Sequence, residues 1–229
     1  MRLDRFLESN LACSAQSVRL MLAERKVLLN GVAVSDGRQR ITKFCRVDVE
    51  DRTLQARQAL YLMLHKPRGC VSATIDHKNR TVLDLIDVQN RHELHIAGRL
   101  DFNTTGLMLL TNDGNWSNRI MLPQHKLPKT YFVETADEIT PNYVDSFAAG
   151  LYFGFENLTT QPAQLQILSP TTARITLHEG RYHQIKRMFG RFQNRVTALH
   201  RLSIGPIALD ADLLPGQYRA LTQSEIDAV

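Results

Sequence analysis

Leu3, Phe6 and Leu7 fall at i, i+3 and i+4, and Val18, Met21 and Leu22 repeat that spacing. This is the period of a helix with one apolar face, so two short helices are predicted, with Ser14 as the N-cap of the second. The pattern then changes: Val27-Leu28-Leu29 and Val32-Ala33-Val34 flank Asn30-Gly31. Asn-Gly between apolar pairs is the strongest short-range hairpin signal. Arg46-Val47-Asp48-Val49-Glu50 alternates like a further strand, whereas residues 51–59 carry few large apolar groups and no clean period. They are expected to be a linker, leaving a small module over 1–50.

From Leu60 the apolar runs lengthen. Leu60–Leu64, Leu107–Thr111, Thr130–Glu134, Gln164–Leu168 and Ala173–Leu177 read as strands, and Trp116–Met121, Pro141–Gly150 and Gln184–Phe192 as helices. Strands without regular βαβ alternation predict an α+β domain over 60–229, built on a mostly antiparallel mixed sheet flanked by helices.

Composition adds bounds. With 43% hydrophobic and 22% charged residues in 229, the chain is that of a soluble globular protein, with no run long enough to span a membrane. Met1–Glu8 lacks the apolar centre of a secretory signal, so a cytoplasmic protein is expected. Cys13, Cys45 and Cys70 are scattered, without a CxxC pair, and are expected to be buried reduced thiols rather than a disulfide or zinc framework. The net charge of +5 suggests a polyanionic partner.

The cations cluster twice. Arg2, Arg5, Arg19, Arg25 and Lys26 lie on or beside the two helices of the first module. They read either as a solvated face or as a phosphate-contacting patch. Between Arg174 and Arg201 seven Lys/Arg, among them Arg181, Lys186 and Arg187, face a single acid, Glu179, with histidines and aromatics between them. Such interleaving suits an unpaired RNA strand, although Phe189 and Phe192, at i and i+3, fit a helix core better. Gly98-Arg99-Leu100-Asp101-Phe102-Asn103-Thr104-Thr105-Gly106-Leu107 presents one carboxylate among a cation, hydroxyls and glycines before a strand. That suits a shaped loop, but also an ordinary Asx or ST turn. His92-Glu93-Leu94-His95 lacks zincin spacing, and the chain has no GxGxxG, P-loop or GxSxG. Nucleotide-cofactor, ATPase and serine-hydrolase chemistry are unsupported.

Together these residues resemble a known family. Lys66-Pro67-x-Gly69, Gly98-Arg99-Leu100-Asp101…Thr104-Thr105-Gly106-Leu107, Lys129-Thr130-Tyr131, Glu179-Gly180-Arg181-Tyr182-His183-Gln184-Ile185-Lys186-Arg187-Met188-Phe189 and His200-Arg201-x-x-Ile204-Gly205 match, in order, motifs of the RsuA/RluA pseudouridine synthases. The Gln-Ile-Lys-Arg-Met-Phe form points to the RsuA branch, and the C-terminal Leu209…Thr222 resembles members acting on small-subunit (16S) ribosomal RNA. The first fifty residues resemble an S4 RNA-binding domain, departing from its usual pattern at Ser14-Ala15 and at Arg25, where glycine is common.

The resemblance implies a monomeric isomerase that needs no cofactor or metal. Its partner would be ribosomal RNA, presented as a partly assembled ribonucleoprotein. Asp101 would be the essential carboxylate, acting as nucleophile at the ribose or as base at C2′, and Lys186 its partner. Tyr131 would stack on the base, Ile185 and Leu199 would wall the uracil, and Arg99, Thr105 and Lys129 would contact the substrate. Arg2, Arg5, Arg19, Arg25, Lys26, Arg181, Arg187 and Arg201 would hold RNA. A large-subunit enzyme of the same branch, a catalytically silent assembly factor and a nucleoside hydrolase are the alternatives; intact Asp101, Tyr131 and Lys186 argue against the second, and the lack of a second carboxylate and of metal ligands against the third.

Overall fold

The computed structural model describes residues 1–121 and 127–229. These divide into two compact units, Met1–Ala59 and Leu60–Val229.

In the first unit the predicted helices are α1 (Leu3–Leu11) and α2 (Ala15–Ala23). Ser14 caps α2, its side chain accepting from the Ser17 amide. Leu3, Phe6, Leu7, Val18 and Leu22 bury the apolar faces against Val27, Val47 and Val49 of a sheet. That sheet is ordered β2 (Val32–Ala33), β1 (Val27–Leu29), β3 (Val47–Val49), β4 (Arg52–Gln55). The β1–β2 turn has φ of 51° at Asn30 and 81° at Gly31, the positive pair that a two-residue hairpin turn requires.

Strand β4 corrects the linker reading of 51–59, for it pairs along β3 from Val49↔Arg52 to Val47↔Gln55. An edge strand with one face in water needs few apolar residues, and Arg52 and Thr53 are exposed. The thiols need a smaller correction: all three are free, but only Cys70 is buried and Cys13 and Cys45 are half-buried.

Helix α2 ends in a Schellman motif, with Lys26 N donating to Met21 O (3.0 Å) and Arg25 N to Leu22 O (3.1 Å). This puts Arg25 at φ 56°, the left-handed conformation that glycine adopts without a Cβ clash. Left-handed backbone costs roughly 1–2 kcal/mol in an L-residue, and glycine's extra unfolded entropy takes back roughly 0.5–1 kcal/mol. Arg25→Gly is therefore expected to stabilise the protein by roughly 0.5–1 kcal/mol, a rise of about 1–3 °C in Tm by calorimetry. An unchanged or lower Tm would mean that the arginine side chain stabilises the turn.

The second unit is a nine-stranded sheet. Its strands and helices are β5 (Tyr61–Lys66), β6 (His95–Ala97), β7 (Thr105–Thr111), α3 (Gly114–Met121), β8 (Lys129–Thr135), α4 (Asn142–Ala149), β9 (Tyr152–Phe153), β10 (Leu158–Thr159), β11 (Gln164–Ser169), β12 (Thr172–Leu177), α5 (Gln184–Gly190), β13 (Val196–Ile204), β14 (Ile207–Ala208), β15 (Tyr218–Ala220) and α6 (Gln223–Asp227). The sheet runs β11-β12-β8-β13-β7-β5-β15, with β14 beside β13 and β6 beside β7, while β9 and β10 pair separately. Every pairing in the large sheet is antiparallel except β13 with β7.

The period of two explains the layers. Leu62, Leu64, Met108 and Leu110 face a core with Tyr143 and Phe147 of α4 and Ile185 and Phe189 of α5. Met63, Leu107 and Leu109 face the other way, against Trp116 and Ile120 of α3. Phe189 and Phe192 belong to that first core, Phe192 stacking on Tyr143 at 3.9 Å between ring centroids.

At the β13–β7 junction Arg201 is in register with Gly106. A Cβ on Gly106 would lie 2.3 Å from Arg201 O and 2.5 Å from Arg201 N, so only glycine admits this approach. Asp113 caps α3, Oδ1 accepting from Asn115 N and Trp116 N, and Oδ2 accepts from the Tyr61 hydroxyl at 2.9 Å. Its part is that of a helix cap.

Candidate active site

Residues 98–104 join β6 to β7 and carry Asp101. Two buried cations fix their backbone. Arg201, 1% exposed, donates from Nη2 to Gly98 O (2.8 Å), from Nη1 to Arg99 O (3.4 Å) and from Nε to Leu107 O (2.7 Å). Lys66, with no exposed surface, donates from Nζ to Thr104 O (2.9 Å), Phe102 O (3.1 Å) and Pro67 O (3.1 Å), and burial pushes its ammonium pKa down. Ser72 Oγ donates to Leu100 O and accepts from Leu100 N. Backbone carbonyls thus take up two buried positive charges, and in return the loop has one shape.

The expectation that Arg201 contacts RNA is therefore corrected. Its guanidinium is enclosed and its donors bind the chain's own carbonyls. A buried charge without such partners would be prohibitively costly, so the group is held in place.

Opposite the loop, the turn leading into α5 is shaped by Glu179, whose Oε1 accepts from Gln161 N and Gln184 Nε2, while Gln184 Oε1 accepts from Arg181 N. His183 precedes the helix at φ 49°. From α5, Lys186 Nζ reaches Asp101 Oδ2 at 2.7 Å, and His183 Nε2 lies 3.4 Å from Asp101 Oδ1. Both ends of the carboxylate are thus addressed, with its side chain 28% exposed.

A cavity of about 100 Å³ opens on this carboxylate, lined by Arg99, Asp101, Tyr131, Ile185, Lys186 and Leu199 among others. Six of the eight sequence-derived catalytic and substrate residues meet here. Lys129 lines an adjoining, larger cavity with Asp101 and Tyr131, where burial lowers its pKa. Thr105 points elsewhere, its hydroxyl 2.8 Å from His200 Nδ1. Burial, helped by His65, lowers the pKa of His200.

Thr104 takes the place on the cavity wall assigned to Thr105. It is 1% exposed, and its Oγ1 has no hydrogen-bond partner among the described residues. Neither Thr104 nor His183 stood out in the sequence, although both lie inside recognisable motifs.

Of the seven other cations expected to hold RNA, five are in ion pairs. Arg181 binds Glu179, Arg187 grips Glu156 through two nitrogens and lies over the Phe153 ring, and Arg2, Arg5 and Lys26 pair with Asp4, Glu8 and Glu24. Among the described residues no group of three His, Cys, Asp or Glu side chains is placed to hold a metal. No helix there is long and apolar enough to cross a membrane.

The mixed sheet, with its lysine-paired aspartate on a clamped loop beside a buried tyrosine, has counterparts among known proteins, and these define its class. Residues 60–190 match the RNA pseudouridylate synthase family, and the chain belongs to that family. It is similar to the ribosomal small subunit pseudouridine synthase A of Pseudomonas aeruginosa, 53% identical over 230 residues and covering all of both chains. The protein of the same name from Vibrio cholerae is 42% identical, covering all of this chain and 99% of its own. A crystal structure of a pseudouridylate synthase is 41% identical, with a TM-score of 0.72 over 100% of this chain and 99% of that one. The chain is thus a pseudouridine synthase with the α+β architecture of its family.

Proposed function

We propose that this synthase isomerises one uridine of small-subunit (16S) ribosomal RNA, with Asp101 as the essential carboxylate. The observation that carries the reading is the 2.7 Å pair of Asp101 with Lys186 at a cavity shared with Tyr131. The full-length likeness to proteins named for the small ribosomal subunit supports the substrate.

In the reaction the C1′–N1 bond breaks, uracil turns, C1′ bonds to C5, and the C5 proton leaves while N1 regains one. No electrons enter or leave, so no redox group is called for. Asp101 starts the sequence at C1′ as nucleophile or at C2′ as base. Lys186 orients that carboxylate. Tyr131, 9% exposed, stacks on the uracil, and Ile185 and Leu199 exclude water around it. Arg99 and Lys129 meet the flanking nucleotide. The uridine must leave its stack to arrive here, at a cost of a few kcal/mol that phosphate contacts elsewhere offset.

The first unit supplies such contacts as an S4-like domain. Arg2, Arg5, Arg19 and Arg38 line one cavity of it together with Asp4, Glu8 and Asp36, so Arg19 is its cation outside an ion pair, and Arg25 and Lys26 follow at the end of α2. The enzyme acts as a monomer in the cytoplasm on a partly assembled small-subunit ribonucleoprotein.

Tritium release from uracil-5-tritiated RNA tests the substrate. Small-subunit RNA with its proteins is expected to release one equivalent, and large-subunit RNA none. Release from the large-subunit substrate alone would overturn the target; silence on every substrate with RNA still bound would favour the assembly factor.

A further inference from the structure

Next to the cavity at Asp101, and sharing Lys186 with it, lies a second one, of about 410 Å³, lined by Arg68, Asn103, Arg195 and Thr197 among others. Thr104, Lys186 and Leu199 line both cavities. No carboxylate lines the second. Arg68 and Arg195 are both exposed and have no ion-pair partner among the described residues. Lys186 already spends its charge on Asp101, so an anion entering here is met by the two arginines. Thr104 lines both cavities, and its Oγ1 is buried with no hydrogen-bond partner among the described residues.

We propose that this second cavity is a phosphodiester subsite, taking the phosphate on one side of the target uridine while its base occupies the first. The inference rests on the reading of the chain as an RNA synthase and adds where the strand runs. Two planar guanidiniums suit the paired oxygens of a phosphate, and the open, polar walls suit a group that stays solvated on one side. The shared wall explains the arrangement: base and phosphate of one nucleotide lie on either side of Thr104 and Lys186, so seating the phosphate aims the ribose at Asp101.

The test titrates the full-length protein, followed by NMR, with uridine, uridine 5′-monophosphate, uridine 3′-monophosphate and inorganic phosphate. One of the two monophosphates is expected to bind about tenfold tighter than uridine. In Arg68→Gln/Arg195→Gln that preference should vanish. Equal binding of both monophosphates and uridine, or a preference that survives in the double variant, overturns the subsite. So does inorganic phosphate binding as tightly as the preferred nucleotide, or both isomers gaining alike, since the cavity would then hold any free anion. Tritium release by the wild type separates the two levels. If it persists without a phosphate preference, only the subsite falls; if it is absent, the synthase reading falls.

Discussion

Asp101→Asn is expected to lower pseudouridine formation by at least about 10³-fold, since it removes the group that starts bond exchange. The amide fills the same volume and still accepts from Lys186 Nζ, so the loop keeps its shape. Its weak basicity and nucleophilicity are what change. RNA affinity should hold, because one cavity carboxylate contributes nothing to phosphate contacts. Tritium release and filter binding on the same preparation read the two effects apart. A variant that still converts uridine would remove Asp101 from the reaction, and one that loses binding and turnover together would make it a folding residue.

The second large effect is on stability. Arg201→Ala is expected to cost about 3–5 kcal/mol, the sum of buried carbonyls left unsatisfied at about 1–3 kcal/mol each and of the void left by a large side chain. The carbonyls of Gly98 and Leu107 lose their strong donors, and a cavity opens beside β7. For a chain of this size that is a fall of about 10 °C or more in Tm. Arg201→Lys should recover part of it, since an ammonium reaches one of the three carbonyls. If Arg201→Ala left Tm in place and weakened RNA binding instead, the guanidinium would be a nucleic-acid contact after all.

Arg201 also marks the limit of what the chain discloses unaided. Strands β5, β7 and β8 were legible because their apolar runs are local facts, and the Asn30-Gly31 turn and the Ser14 cap because each is a short-range chemical device. Strand β13, a hub of the sheet, was not read as a strand: Val196-Thr197-Ala198-Leu199-His200-Arg201-Leu202-Ser203-Ile204 mixes charge into its middle. That charge is tolerable only because carbonyls from residues 98, 99 and 107 surround it, a contact no window along the sequence contains. The same reason hid β4, whose polar residues belong to a sheet edge.

The site divided along the same line. Asp101, Tyr131 and Lys186 were found through motifs, and the fold brings them to one cavity. Between Thr104 and Thr105 the sequence offers no choice, for both are small β-branched hydroxyls. Which one faces the cavity depends on the neighbouring strand, where His200 claims Thr105. His183 acquires its place through a left-handed turn, and Arg68 and Arg195 become neighbours only once β5 and β13 are in the same sheet.

The junction of β7 with β13 sets an order of events during synthesis. The first unit closes on contacts within its own 59 residues, so it is complete early in translation. The loop bearing Asp101 emerges next with Lys66 and Ser72 already made, but its second cationic clamp is missing until Arg201, 100 positions after Asp101, arrives to pair with Gly106. Contacts of such long sequence separation form late and slowly. A nascent chain on the ribosome therefore holds a finished first module well before it holds a working centre, and the last third of the polypeptide acts as the key that turns the enzyme on.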